Sequence, residues 1–362
     1  MQGSAILVVS NRFADTAAGS RVADVDQGEP ARAPTACVEV LGQSVLERTV
    51  TLLRQEGIKA ISVIAEANFV SPMPAHDLEI TIARQASDCW SVATRTLKRH
   101  AAQGVEDVLV MGLGAYIECD LPEVLQFHRA KRSSLTQLLD SQQPLDFWIV
   151  DADLVGMPER DFPLPFNEDK TLSPIPYRVK GYVNRLADAA DLRRLVVDAF
   201  LARCAIRPRG REIRPGVWLD DGARPHRSAR IVAPAYLGRC AKLGPSVIMT
   251  RFSNVERNCR VGAGTVVDSA SILAHTALGR GLDVSQAVVD GNEFVDLGRN
   301  LAVRIDDPNL LRDTSPRPRR VLEDQRDHGE PLAAGHQAFE PEYAQYLSPA
   351  DSRALGDFQS EV

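Results

Sequence analysis

Six cysteines carry the most reactive side chains of this 362-residue chain, and their spacing limits what they can do. Cys37, Cys89, Cys119, Cys204, Cys240 and Cys259 stand far apart with no CxxC pair. That arrangement fits neither a zinc site nor a disulfide framework, and reduced thiols are expected. His275, in "ILAHTALG", is the residue type that abstracts a proton near neutral pH. Its bland role is that of a solvated polar residue at a chain corner. Two basic runs, "HRAKRSS" (128–134) and "RPRGREIRPG" (207–216), could meet phosphate or an acidic partner. They could equally solvate a helix end and a linker.

The elements that would position these groups fall into two kinds. Ile231, Leu237, Leu243, Met249, Val255, Val261, Val267 and Leu273 recur every six residues. Two positions before each stands a small or β-branched residue: Ala229, Ala235, Ala241, Val247, Ser253, Cys259, Thr265 and Ser271. Six does not suit an amphipathic helix, whose apolar positions recur at three and four. It suits a short strand with one inward aliphatic and a tight corner, three of which close one coil of a stack. The pattern predicts a left-handed parallel β-helix of hexapeptide repeats over 217–300, with the register slipping after Leu273. His275 would then sit on one of its corners.

Upstream, strands alternate with helices. "AILVVS" (5–10), "AISVIAE" (60–66) and "DVLVMG" (107–112) are apolar runs of strand length. "SVLERTVTLLRQEG" (44–57) and "CWSVATRTLKRHAAQG" (89–104) have helical periodicity and end on Gly. "LPEVLQFHRAKRS" (121–133) places Pro122 near a helix start. "LDFWIVDADLVG" (145–156) reads as a strand, and 177–204 as strand, turn and helix. This alternation predicts a parallel sheet covered on both faces over 1–205, with ligands beyond the carboxyl ends of its strands. Residues 206–216 read as a linker, and 301–362, rich in Pro and charge, as a cap and disordered tail.

Composition narrows the class. A charged fraction of 25%, an apolar fraction of 44% and a formal charge of −6 describe a globular protein without an overall phosphate-binding surface. Nucleic acid is therefore not expected as a partner. The N-terminus has no basic region before its short apolar run, and no stretch approaches a membrane span, so a cytoplasmic protein without membrane insertion is expected.

Three segments resemble the sugar-1-phosphate nucleotidyltransferases, or nucleotide-sugar pyrophosphorylases. "APTACVEVLGQSVLERTVTLLRQEGIKAISVI" (33–64) is similar to the run from that family's Pro-Lys motif through its first long helix. "VLVMGLGAYIECDLPEVLQFHRAKRSSLT" (108–136) is similar to its strand ending in a Gly-Asp pair. "GYVNRLADAADLRRLVVDAFL" (181–201) is similar to its closing segment. The resemblance implies a nucleotide-diphospho-sugar-transferase-like Rossmann-type domain before the β-helix. It also implies attack of a sugar-1-phosphate on a nucleoside triphosphate, with Mg²⁺ held by carboxylates.

The matching positions have lost most of that equipment. "SNRFADTAAGSR" (10–21) has one Gly where the family has a Gly-rich loop, leaving Arg12 and Arg21 as phosphate contacts. The Pro-Lys lysine falls on Thr35. The two metal-binding Asp positions fall on Gly114 and Arg185. Glu118 and Asp120 are the nearby carboxylates that could substitute, although Asp120 also stands where a helix N-cap is expected. The resemblance therefore implies a nucleotide or nucleotide-sugar binder of weakened or lost catalysis, sensing or regulatory, in nucleotide-sugar or surface-polysaccharide metabolism. It would form a homo-oligomer or pair with an active relative. Two alternatives stand beside it: an active nucleotidyltransferase using Glu118 and Asp120 for Mg²⁺, and a hexapeptide-repeat acyltransferase using His275 as base.

Overall fold

A computed structural model of the chain describes residues 3–9, 34–66, 69, 78–85, 88–141, 143–155 and 174–315. Arg12, Arg21 and the tail beyond 315 lie outside the described residues. The N-terminal part is built on seven strands: β1 (Gly3–Val9), β2 (Ala60–Glu66), β3 (Glu79–Ala83), β4 (Asp107–Gly112), β5 (Leu135–Leu139), β6 (Pro144–Asp151) and β7 (Ile175–Arg178). They form one sheet of order β7-β5-β6-β4-β1-β2-β3. The expectation of an all-parallel sheet needs correction, because β6 runs antiparallel to both β4 and β5. The cause is local: a short turn joins β5 to β6, and a hairpin must reverse direction, whereas a parallel pair needs a long crossover.

The helices are α1 (Val45–Gln55), α2 (Cys89–Ala102), α3 (Leu121–Ala130) and α4 (Ala189–Phe200). Ser44 starts α1 with a capping box: its Oγ accepts from the Glu47 amide and the Glu47 carboxylate accepts from the Ser44 amide. The predicted stop at Gly57 takes φ +84°, the left-handed conformation that glycine adopts cheaply. Alternation along β1 sends Ala5, Leu7 and Val9 toward a core shared with α1 and α3. Ile6 and Val8 go to the opposite core, shared with α2.

The C-terminal part is a three-sided parallel β-helix. Its first sheet stacks Val217–Leu219, Ala235–Leu237, Ser253–Val255, Ser271–Ile272 and Ala287–Asp290. The second stacks Arg224–Pro225, Lys242–Leu243, Arg260–Val261 and Thr276–Leu278. The third stacks Arg230–Ile231, Ile248–Thr250, Val266–Asp268 and Asp283–Ser285. Trp218 lies opposite Tyr236 and Tyr236 opposite Asn254, so one coil consumes three hexapeptides. Leu237, Leu243, Met249, Val255, Val261 and Val267 fill the interior, as the six-residue period requires.

Leu273 does not belong to that column. Val255 pairs with Ile272, so this coil is one residue shorter and the slip comes before residue 273. Ile272 is the inward aliphatic, while Leu273 faces the α/β part. Antiparallel strands extend the stack at both ends. Arg211–Arg214, inside the expected linker, pairs with the first coil strand, and Glu293–Asp296, Leu301–Arg304 and Leu311–Asp313 close the other end.

The two parts are packed as one compact unit spanning Met1–Pro316. Tyr236, Asn254 and Ser271, stacked on the outward side of the first sheet, are fully buried against the α/β part. Arg193 of α4 bonds two β-helix corners, through the carbonyls of Phe252 (2.8 Å) and Ser269 (3.1 Å). Its burial pulls the guanidinium pKa down to about 10.

Candidate functional site

A cleft of about 580 Å³ opens at the carboxyl end of β4, between α1 and the start of α3. This is the position at which α/β sheets of this kind take their ligands, and the volume suits a small polar molecule. Met111 and Phe147, paired across β4 and β6, form its floor. Gln43, Arg48, Thr49, Thr51 and Gln55 of α1 and its approach line one wall. The segment Ala115–Leu121 with Gly181 lines the other.

The polar groups divide into committed and spare. Arg48 donates to the Val40 carbonyl at 2.7 Å, but its buried Nε has no hydrogen-bond partner. Burial lowers the pKa of this guanidinium, although it stays charged. Glu118 accepts at Oε1 from both the Tyr116 hydroxyl and the Ala205 amide. It therefore braces the chain leaving α4 against the wall of the cleft. Asp120 accepts from the Glu123 amide at 2.9 Å and is the N-cap of α3. Both carboxylates line the cleft, each already holding a backbone amide.

Asp120→Ala is expected to cost about 1 kcal/mol by denaturant unfolding, the ordinary value of a helix cap. A loss several times larger would show that the carboxylate does more than cap.

The segments that hold Gly114 and Arg185, where the resemblance expects metal-binding Asp, lie next to each other. Tyr116–Ile117 and Val183–Asn184 pair antiparallel, with Asn184 opposite Tyr116. The next residue on one strand is Arg185, and Gly114 stands two residues before Tyr116 on the other. The pairing sets the two segments side by side, and neither Gly114 nor Arg185 supplies a carboxylate. Arg185 is held by Asp140 at 2.7 Å and by the carbonyls of Gln143 and Pro144. Thr35, at the lysine position, is buried with an unpartnered hydroxyl and lies outside the cleft lining. No cluster of three or more His, Cys, Asp or Glu suited to a metal occurs among the described residues.

The remaining candidates lie elsewhere. His275 occupies a β-helix corner with φ +63°, stacked with the left-handed corners at Cys240 and Asn258. Its carbonyl accepts from the Thr314 amide and hydroxyl, and burial together with Arg257 holds its imidazole pKa below the usual value. Within the first basic run His128 is buried against Thr136, and Arg129 pairs with Asp107. In the second, Arg207 bonds its own turn carbonyls. All six cysteines are free thiols, and burial raises Cys37 and Cys119 to about 12, which makes them poor nucleophiles.

One buried acid was not singled out in the sequence. Glu256, fully buried, accepts from the Leu41 amide at 2.8 Å, the Gly42 amide at 3.0 Å and Asn254 Nδ2 at 2.7 Å. It ties the β-helix to the turn that leads into α1. Glu39, on the same turn, pairs with Arg257 at 2.7 Å.

No family model matches the chain, and no curated protein matches it. Solved structures do match, among them a Bacillus anthracis protein assigned as a glucose-1-phosphate thymidylyltransferase, in complex with sucrose. It is 11% identical, with 57% of this chain and 96% of that one covered, at a TM-score of 0.40. No described helix is long and apolar enough to cross a membrane.

Proposed function

We propose that this chain is a nucleotidyltransferase-like protein that binds a nucleotide or nucleotide sugar in the cleft beside β4 without turning it over. Occupancy would be reported to a partner, either another copy or an active relative. A left-handed coil for the β-helix is part of the same reading. The observation that supports it is the pairing of Tyr116–Ile117 with Val183–Asn184, which sets the segments of Gly114 and Arg185, the residues standing where the resemblance expects metal-binding Asp, side by side. A Mg²⁺ ion does not fit this set. One position offers no side chain, the other a cation, and the neighbouring Glu118 and Asp120 already accept from backbone amides. Phosphoryl transfer, which depends on charge neutralisation and positioning, loses its main support. Binding survives, because the cleft keeps Arg48 with a spare donor.

Thermal unfolding against nucleoside triphosphates, nucleotide sugars and sugar phosphates tests the reading. A ligand at about 100 times its dissociation constant should stabilise the fold by about 2.7 kcal/mol. The expected result is a shift with a nucleotide or nucleotide sugar that is equal with and without Mg²⁺, and no pyrophosphate release. Mg²⁺-dependent pyrophosphate release abolished in Glu118→Gln or Asp120→Asn would establish an active enzyme instead. A shift with acetyl-CoA alone, lost in His275→Ala, would move the function to the β-helix.

A further inference from the structure

The second sheet of the β-helix presents a ladder of cations. Arg224 pairs directly with Lys242 and Lys242 with Arg260 on successive coils, about 4.8 Å apart. On the next coil Ala277 pairs with Arg312 of the closing antiparallel strand. Leu310, in the turn that leads into this strand, is 40% exposed. All four cations are exposed, and none has an acidic partner among the described residues. Like charges directly opposite on a sheet are destabilising, so the fold gains nothing from the column.

Residues 206–315 hold sixteen Arg and Lys against twelve Asp and Glu, although the whole chain is net negative. The first sheet of the β-helix is covered by the α/β part, whereas the second is exposed along its cation column among the described residues.

We propose that this second face docks on an anionic lipid surface. A β-sheet face with a row of cations, and an exposed leucine in the adjoining turn, complements a bilayer of negative headgroups. Each cation near such a surface contributes about 1 kcal/mol, and clusters of four to eight Lys and Arg mark recognition of anionic lipid. Arginine, three of the four, matches phosphate oxygens with its planar fork. A single-stranded polynucleotide fits less well, because the face carries no Phe, Tyr or Trp on which bases could stack.

Co-sedimentation of the full chain with vesicles tests the proposal. Vesicles of phosphatidylcholine containing phosphatidylglycerol should carry the protein down, and phosphatidylcholine alone should not. The binding should weaken as salt rises. K242E places an acid between two arginines, so its melting temperature should equal or exceed that of the parent. Removing two units of charge at about 1 kcal/mol each should weaken partitioning about 30-fold. R260Q should give a smaller loss in the same direction. The proposal is overturned by absence of anionic-vesicle binding, by K242E binding as well as the parent, or by salt-sensitive retention on single-stranded polynucleotide with vesicles left unbound.

Discussion

Glu256→Ala should cost about 3–5 kcal/mol by denaturant unfolding, because it leaves three buried donors without their acceptor. The variant strands the Leu41 and Gly42 amides and Asn254 Nδ2, and an orphaned buried donor costs about 1–3 kcal/mol each. The turn cannot retreat to find other partners. Gly42 takes φ +89°, and a Cβ there would lie 2.3 Å from the Tyr236 hydroxyl, so backbone and β-helix are already in close contact. Glu256→Gln keeps an acceptor for two of the donors and should lose less than half as much.

The pH dependence of the same residue has a definite sign. Burial, with the Glu39 carboxylate nearby, pushes Glu256 up to about 8, against the pull of its three donors. Between the ordinary carboxylate value of 4.5 and about 8 the folded chain keeps a proton that the unfolded chain has released. This contribution to stability is therefore complete below the window and is lost as pH rises through it. Glu39, raised first by burial, adds in the same direction. Buried His100 and His128, both lowered, oppose it on the acid side, and buried thiols such as Cys37 and Cys119 add a fall of their own above about 8, so the comparison runs from about neutral pH to 8. Melting temperature should fall across that range in the parent and stay flatter in Glu256→Gln. A parent curve as flat as the variant's would show Glu256 ionised throughout.

Glu256 also marks where reading the chain alone stops. The β-helix was legible because each coil repeats one physical requirement, an aliphatic inside and a small residue near the corner. The two columns record it directly from Leu237 to Val267. Helices α1 and α3 were legible through local rules, the Gly57 stop and the Pro122 start. The direction of β6 was not, because its turn signal, Asp140 and Ser141 followed by Pro144, marks a break in the chain without saying whether the next strand doubles back. Nor was the one-residue deletion that puts Ile272 rather than Leu273 inside. Two aliphatics in a row satisfy the period either way, and only the neighbouring coil decides.

The junction was less legible still. Glu256 meets Leu41 across 215 residues of sequence, and no local pattern distinguishes it from a solvated corner acid. At the cleft, the residues read as substitute metal ligands do lie in its lining. Their amide partners at Ala205 and Glu123 become visible only once the chain is folded.

Gly181→Ala should destabilise the fold by about 2–3 kcal/mol, in the range for overpacking a filled site, and should abolish the ligand-induced thermal shift. A Cβ at this position would lie 1.9 Å from the Glu118 carbonyl oxygen and 2.8 Å from its carbon, both backbone atoms that no rotamer change can move. The strand Val183–Asn184 would have to part from Tyr116–Ile117, and the Glu118 amide would lose its bond to the Tyr182 carbonyl. Glu118 would then release the Ala205 amide, opening the wall of the cleft on the side where α4 ends. Gly57→Ala is the matched control. Gly57 has nothing within 4 Å of the added methyl, so it should cost only the left-handed conformational penalty of about 1–2 kcal/mol, with ligand shifts intact. If Gly181→Ala loses stability but keeps the full ligand shift, the ligand does not rest on the 115–121 wall. The nucleotide contacts would then have to be sought on α1 around Arg48. If both glycine variants lose the shift equally, binding follows global stability rather than the geometry of the cleft.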